Sequence, residues 1–249
     1  MLFKPKRNLC ALFVAMSLLA LLPGLPVKSA TNNKLLIAAS APAQMVVERS
    51  VDAGDFIKDM TEAAAQLKAY SFNYETQVFK GKKVIDQQGS FYFKQPPRMF
   101  RVEMTGDFKH GAVAVQGRDG KIRGHLGGAL GAFTITIAPD SDMLLGANGY
   151  PLVDSDFASM CKVIQGFVGQ GCKARVSDHP VAVEGQSKKV YVLEITRPAS
   201  TELYKRSYID PQSMLPLEWF DYLKGQLFAR TVWKDLKLEP GIKDDLFKI

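Results

Sequence analysis

Apolar residues recur with two different periods along the chain, and each period predicts one kind of secondary structure. Between Asp52 and Ala69 they recur every three or four residues, which predicts an amphipathic helix with Asp52 as its N-cap. The same period returns after Ser155, which is the predicted N-cap of a second helix, and Gly169 and Gly171 are predicted to end that helix. The apolar face of the first helix consists of Phe56, Ile57, Met60, Ala64 and Leu67, and that of the second of Phe157, Met160, Cys161, Ile164 and Val168.

The other segments alternate with a period of two, which predicts β-strands. One series begins at Tyr70 and ends with the alternating segment 133–138, and a second series occupies residues 189–238. Turn signals separate the strands, among them Pro96-Pro97 and a hairpin signal at Asp119-Gly120. Strands joined by short turns pair in antiparallel fashion. The sequence therefore predicts an α+β fold in which helices lie on one face of an antiparallel sheet.

The late strands are apolar on both faces. In the segment 189–196, Tyr191, Leu193 and Ile195 occupy one face, and Val190 and Val192 occupy the other. A sheet with one face in water should alternate apolar and polar residues more regularly. Two explanations remain open: the sheet curls around a cavity or around helices, or one of its faces is buried at an interface.

The first 30 residues form a segment of different character. Three basic residues precede the apolar run Leu9–Leu22, and small residues follow at Ser29 and Ala30. This layout is typical of a secretory signal peptide, and the apolar run is short for a membrane span. An uncleaved anchor is the alternative. We expect residues 1–30 to be a cleaved signal peptide, residues 31–49 a linker, and residues 50–249 a single exported domain.

Export changes both the charge and the cysteine count. The net charge of +7 falls to +3 when four basic residues and no acidic residue leave with the signal peptide. So small an excess predicts no nucleic-acid binding. Lys80–Lys83 offers a weak, transient attraction to an anionic membrane surface, or is simply a solvated hairpin tip. Cys161 and Cys172 remain, and an even pair in an oxidising compartment predicts a disulfide, with two free thiols as the alternative.

The sequence contains no pattern that predicts catalysis or metal binding. His110, His125 and His179 are too widely separated to form a recognisable metal-ligand spacing. The segment Ser159–Lys162 matches the SxxK pattern of acyl-enzymes, but the SDN and KTG motifs that accompany it do not occur. The glycine-rich run 117–133 has no phosphate-binding signature. We therefore expect a protein that is not an enzyme and that uses neither a metal nor a cofactor.

Several short motifs occur in an order that resembles the LolA/LolB-like periplasmic lipoprotein carriers. They are YSFNYETQVFKG, GSFYFKQPPRMFRVEM, the GRDGKI hairpin and a closing segment whose tail is Asp244–Phe247. The resemblance spans nearly all of residues 50–249 and is strongest with an uncharacterised exported bacterial branch. It implies an unclosed antiparallel β half-barrel with helices packed on its concave face. It further implies a monomer that handles a lipid or an acylated protein during transport towards the outer membrane.

The turn at the two prolines departs from the carrier pattern. The carriers place an arginine immediately before the proline, where it faces the cavity and helps to hold the lid. This sequence has Gln95 at that position, and Arg98 follows the prolines. Either Arg98 takes over from the neighbouring position, or the lid is held differently, for example by a Cys161–Cys172 disulfide.

The resemblance and the strand period together indicate candidate cavity residues. If Gln95 points inward, the period of two places Phe91 and Phe93 on the same face. Ordinary core packing is the alternative role for each residue. The candidates for lipid binding are Phe91, Phe93, Gln95, Phe100, Val102, Phe133, Ile135, Phe157, Met160 and Ile164. The function expected from them is non-catalytic lipid binding in the periplasm, and the alternative is a structural or scaffolding envelope protein with a filled core and no ligand.

Overall fold

A computed structural model describes residues 49–238 and 241–249. The predicted signal peptide and all of the predicted linker except Arg49 lie outside the described residues. The helices are α1 (Gly54–Gln66) and α2 (Phe157–Gly169). The strands are β1 (Ser50–Asp52), β2 (Ala69–Lys80), β3 (Lys83–Lys94), β4 (Met99–Met104), β5 (Val113–Gln116), β6 (Ile122–His125), β7 (Ile135–Ile137), β8 (Lys173–Ser177), β9 (Tyr191–Thr196), β10 (Leu203–Ile209), β11 (Pro216–Leu223) and β12 (Gln226–Leu238).

All of these strands belong to one antiparallel sheet. Their order is β1-β8-β9-β10-β11-β12-β2-β3-β4-β5-β6-β7, so β1 and β7 are the two edges of a sheet that does not close into a barrel. Apolar side chains of both helices share one core with one face of the sheet, which we call the concave face. The predicted fold class, an unclosed antiparallel half-barrel with helices on its concave face, is confirmed.

The first helix is shorter than predicted at both ends. Asp52 pairs with Arg175 as the last residue of β1, and it does not occupy the N-cap position. Its Oδ1 accepts a hydrogen bond of 2.8 Å from the amide of Gly54, so it still satisfies a donor of the first turn. At the other end, Ala69 already pairs with Lys94 in the sheet. Strand pairing on both sides therefore decides the length of α1.

The N-cap of the second helix lies one residue later than predicted. Asp156, not Ser155, is the N-cap: its Oδ1 accepts from the amide of Ser159 at 2.9 Å and its Oδ2 accepts from the Ser159 hydroxyl at 2.7 Å. Gly171 follows the helix with φ of +87°, as its predicted role at the helix end requires. Phe157, Cys161 and Ile164 are buried, whereas Val168, predicted on the same apolar stripe, is exposed.

The apolar residues on the opposite, convex face are buried by the chain itself. Leu193 and Ile195 contact the core shared with the helices, while Val192 lies in a separate cluster on the other side of β9. The connection between β8 and β9 covers that cluster with Val181 and Val183. The late strands are thus apolar on both faces because helices cover one face and a loop covers the other.

Candidate functional site

The centre of the concave face is a continuous layer of aromatic rings on β2, β3 and β4. We call the residues Tyr70, Phe72, Phe91, Phe93 and Phe100 the aromatic floor. Ring centroids lie 4.9 Å apart for Tyr70 and Phe93 and 5.0 Å apart for Phe72 and Phe91, because the register places each pair directly opposite. Alternation along each strand keeps all five rings on this one face.

Helix α2 lies over the aromatic floor as a lid. The ring of Phe157 lies 5.0 Å from that of Tyr70, and the Tyr70 hydroxyl accepts a hydrogen bond of 3.0 Å from the Phe157 amide. Burial, followed by the nearby Asp156 carboxylate, raises the pKa of Tyr70 well above its usual value, so the phenol stays protonated. Ile164 is buried in the same core and Met160 is half-buried beside it.

Arg98 connects the proline turn to this lid. Its Nη2 lies 2.6 Å from Oδ2 of Asp156 and also donates to the Val153 carbonyl, while its Nη1 donates to Oε1 of Gln116 at 2.5 Å. The guanidinium carbon lies 5.3 Å from the centre of the Phe100 ring. Since Asp156 caps α2 and its side chain is only 2% exposed, the pair fixes the lid at its N-terminus. Of the two arrangements expected from the sequence, the structure shows the one in which Arg98 contacts the lid.

Gln95 has a different contact. Its Nε2 donates a hydrogen bond of 2.6 Å to the carbonyl of Leu67, at the end of α1. The side chain is half-buried and ties the proline turn to the α1–β2 connection. Gln95 therefore contacts the end of α1, whereas Arg98 contacts the lid.

A long connection between β7 and α2 covers the concave face beside the lid. We call residues 139–156 the strap. Lys109 Nζ donates to the carbonyls of Met143 and Leu145 at 2.9 and 2.8 Å, and Oε1 of Gln87 accepts from the amide of Ala147 at 2.6 Å. Leu144 and Leu152 of the strap are buried in the central core. The strap has neither helical nor strand periodicity, so the sequence predicts no regular element for it.

A buried polar group lies on the concave face between β10, β11 and the strap. We call Lys205, Asp221, Tyr150 and Trp219 the Lys205 cluster. Lys205 Nζ lies 2.6 Å from Oδ1 of Asp221, and the two side chains are 6% and 4% exposed. The same Oδ1 accepts from Nε1 of Trp219 at 2.8 Å and from the Tyr150 hydroxyl at 3.2 Å. Burial, followed by the charge of Asp221, raises the pKa of Tyr150 well above its usual value.

Sequence reasoning missed the Lys205 cluster, although a signal for it exists. Lys205 and Ile209 occupy the same face of β10, and Trp219 and Asp221 occupy the same face of β11. A charged residue at the inward position of each of two neighbouring strands is unusual in a core and predicts a buried pair. Finding it would have required the register between the strands, which the period of two alone does not supply.

Two of the predicted cavity residues lie on the surface. Phe133 is 69% exposed and precedes β7, and Ile135 is 44% exposed within β7. The predicted strand 133–138 is reduced to Ile135–Ile137, of which Ile137 alone is buried in the core. Because β7 is an edge strand, it pairs with β6 on one side only, and its outer end has no cover. The alternation was recognised correctly, but Phe133 and Ile135 do not line a cavity in this structure.

A small cleft lies on the concave face among the described residues. This cleft of about 20 Å³ lies between the sheet and the strap, lined among others by Val102, Met104 and Leu144. That is close to the volume of a single water position and far below the few hundred Å³ of a typical ligand pocket. A larger cleft of about 380 Å³ lies elsewhere, between the β5–β6 hairpin and the C-terminal residues Phe247–Ile249. Phe91, Phe93, Phe100, Val102, Phe157 and Ile164 thus pack as core in this closed arrangement.

The predicted cysteine pair and membrane contact remain predictions. Cys161 is a buried thiol on α2, and Cys172 is half-buried. Burial raises the pKa of the Cys161 thiol to about 11. Lys80 and Lys83 pair across the tip of the β2–β3 hairpin, where both are exposed.

No group of three or more His, Cys, Asp or Glu side chains in residues 49–238 and 241–249 is placed to hold a metal ion. In this part of the chain, neither helix has the length and apolar character needed to cross a membrane.

Comparison with solved structures finds proteins of similar fold. MucB in the Pseudomonas aeruginosa MucA/MucB complex matches with a TM-score of 0.50 and 16% identity, over 80% of this chain and 61% of MucB. A LolA superfamily protein from Nitrosomonas europaea matches with a TM-score of 0.42 and 13% identity, over 80% and 98% of the two chains. The lipoprotein LppX of Mycobacterium tuberculosis matches with a TM-score of 0.43 and 10% identity, over 77% and 97%.

The fold is similar to that of MucB. At these identities the likeness concerns the fold alone, which in the described part of this chain is an open twelve-stranded antiparallel sheet with two helices on one face. No protein-family model matches the sequence, and no curated protein matches it either.

Proposed function

We propose that this LolA-like protein binds a lipid or a lipid-modified partner in the periplasm, without catalysis. The observation that supports the proposal is the aromatic floor beneath a lid that a single charged pair, Arg98–Asp156, fixes at one end. Acyl chains bind by apolar burial alone, at about 0.8 kcal/mol for each CH₂ group, so no reactive group is needed. A LolA superfamily protein and the lipoprotein LppX are among the proteins of similar fold, which is compatible with a carrier.

The proposal requires the lid and the strap to move. The cleft on the concave face has a volume of about 20 Å³, so an acyl chain enters only when α2 and the strap separate from the aromatic floor. The chain then replaces the contacts that Phe157, Ile164 and Leu144 make with the floor. In this proposal, the arrangement described above is the closed one of two states.

A second candidate function is a structural or scaffolding role in the envelope. The filled concave face favours it, because a core with so little free volume needs no ligand for stability. The exposed Phe133 and Ile135 at the edge strand offer such a protein a surface for contact with another chain. One of the similar structures, MucB, was solved together with a protein, MucA.

Fatty-acid binding separates the two candidates. Purified protein is titrated with a fluorescent fatty acid, and native mass spectrometry is used to detect acyl species that copurify from the periplasm. We compare the unmodified protein with Arg98→Gln, which removes the lid pair, and with Arg123→Gln, which removes an exposed pair with Asp119. A carrier binds more tightly after Arg98→Gln, by about tenfold for every 1.4 kcal/mol by which the closed state is weakened. Arg123→Gln leaves the affinity unchanged. Absence of binding by all three proteins would exclude the carrier function.

A further inference from the structure

The two oxygens of the Asp221 carboxylate differ in their hydrogen bonds. Its Oδ1 accepts three hydrogen bonds, from Lys205, Trp219 and Tyr150. Its Oδ2 is buried, and no group in the described residues donates a hydrogen bond to it. A buried acceptor without a donor is rare in folded proteins and indicates either a bound water or a site for another molecule. Here the acceptor without a donor is Oδ2 of the carboxylate that forms a salt bridge with Lys205.

The ammonium of Lys205 lies among aromatic rings. Its Nζ is 4.1 Å from the ring centre of Tyr204, 5.4 Å from that of Tyr150 and 5.5 Å from that of Phe167. Tyr150 belongs to the strap and Phe167 to α2. Two of the three rings, and one of the hydrogen bonds to Asp221, therefore belong to elements that must move when the lid opens. Their movement exposes an ammonium and a carboxylate that lie side by side.

The position of this pair relative to the aromatic floor suits the head of a lipid. Asp221 pairs with Ala229 of β12, and Ala229 pairs with Val78 of β2, the strand that carries Tyr70 and Phe72. Neighbouring strands lie about 4.8 Å apart and each strand residue advances about 3.3 Å, so the cluster lies about 10 Å across the sheet from β2 and, since Val78 is six residues beyond Phe72, about 20 Å along the strands from the floor. All of these side chains lie on the concave face. A lipid whose tail covers the floor can place its head over Lys205 and Asp221.

Charge and hydrogen-bonding capacity define the head that fits. Lys205 supplies a cation for a phosphate, and Oδ2 of Asp221 supplies an acceptor for a cationic N–H donor. Phosphoethanolamine has both groups. Phosphocholine has the same two charges but no N–H, phosphoglycerol has no cation, and a fatty acid has neither a phosphate nor a cation.

We propose that Lys205 and Asp221 form a headgroup subsite that binds the phosphate and the ammonium of a phosphoethanolamine lipid. The subsite rests on the lipid-binding function proposed above and adds a substrate class to it. Tyr150 occupies part of the subsite in the closed state and leaves it with the strap.

A lipid series with identical acyl chains tests the subsite on the unmodified protein. Phosphatidylethanolamine, its N-monomethyl and N-dimethyl derivatives and phosphatidylcholine are offered in equal amounts, and native mass spectrometry measures the occupancy of each. Because each methyl group removes one N–H, we expect occupancy to fall along the series, with phosphatidylethanolamine favoured over phosphatidylcholine by about tenfold. A fluorescent fatty acid, which lacks the headgroup, is measured in parallel.

The outcomes distinguish the two proposals. Equal occupancy by all four phospholipids, with the fatty acid still bound, overturns the subsite and means that Oδ2 holds only water. That result leaves the lipid-binding function intact. Binding of neither phospholipid nor fatty acid overturns both. Asp221→Asn gives a second measurement, since it should reduce the tenfold preference to about onefold. Asp86→Asn, on the exposed part of β3, is the matched control and should retain the preference. If Asp221→Asn does not fold, the lipid series alone decides.

Discussion

The concave face of the sheet is covered by two helices and the strap, whereas the convex face is covered in two separate places by short chain segments. The concave side chains form one large core that contains the aromatic floor. On the convex face, Val181 and Val183 cover one small cluster, and Ile242, Leu246 and Phe247 of the C-terminal segment cover another. The comparison indicates that the concave core supplies most of the stability, while each convex cover is a local attachment that can be released by itself.

The largest expected effect comes from opening a cavity in the aromatic floor. Phe91→Ala removes a fully buried ring that stacks on Phe72, and it should lower the free energy of unfolding by about 3–5 kcal/mol. Phe133→Ala changes an exposed ring and should alter it by about 0.5 kcal/mol or less. Urea unfolding of both variants measures the difference. A loss at Phe133 as large as that at Phe91 would contradict the surface position of Phe133.

The second prediction concerns the polar part of the same face. Asp221→Ala leaves the Lys205 ammonium buried without its carboxylate and should cost about 3–5 kcal/mol. Replacing both charges, as in Lys205→Met with Asp221→Leu, should recover most of that loss, because two buried charges are removed together. Urea unfolding of the single and double variants forms the measurement. A double variant less stable than the single one would show that the pair itself contributes net stability.

The third prediction concerns the lid. Arg98→Ala leaves the buried carboxylate of Asp156 without its cation and should cost about 2 kcal/mol, reduced by the partial exposure of Arg98. The loss should appear as faster amide hydrogen exchange in α2 than in β2 or β3. Arg123→Ala is the control because its pair with Asp119 is exposed. Equal acceleration in helix and strands would mean that Arg98 stabilises the whole domain rather than the lid.

The smallest effect is expected on the convex face, from pH. Lys94 and Arg118 bind the carboxylate of Asp244 at 2.7 and 2.6 Å and lower its pKa from the ordinary 3.8 to about 2. A lowered pKa in the folded state stabilises the attachment above pH 4, and this stabilisation is lost as the pH falls from about 4 towards 2.

Loss of the Asp244 contacts should release the C-terminal segment, and hydrogen exchange measures that release. The protection of residues 241–249, relative to the intrinsic exchange rate at each pH, should fall between pH 4 and 2, while the protection of β2 and β3 does not. Asp244→Asn should abolish the step. A simultaneous change in the central strands would mean that the C-terminal cover and the concave core unfold together.

The parts of the site that were predicted correctly depend on local pattern. Phe91, Phe93, Phe100 and Val102 were placed on one face because alternation along a strand requires it, and the register confirms their common face. Phe133 and Ile135 follow the same alternation, yet they lie at the edge of the sheet. Alternation reports which residues share a face, but not whether anything covers that face.

The contacts across the sheet could not be predicted in the same way. Arg98 reaches Asp156 over a separation of 58 residues, and Lys205 reaches Tyr150 over 55. Nothing in either local sequence specifies its partner, because both contacts depend on where the strap crosses the concave face. The cap of α1 differs from the prediction for a related reason: pairing of β1 with β8 places Asp52 in a strand.

The sequence by itself determined the periods, and with them the two helices, most strands and the antiparallel sheet, because each period reflects the geometry of a single segment. Only the tertiary structure decided that the strap residues Leu144 and Leu152 pack into the concave core, that Arg98 contacts the lid and that one carboxylate oxygen beside Lys205 has no donor among the described residues. Those features arise from the register of distant strands and the path of the strap. They are properties of segments brought together, and no single segment contains them.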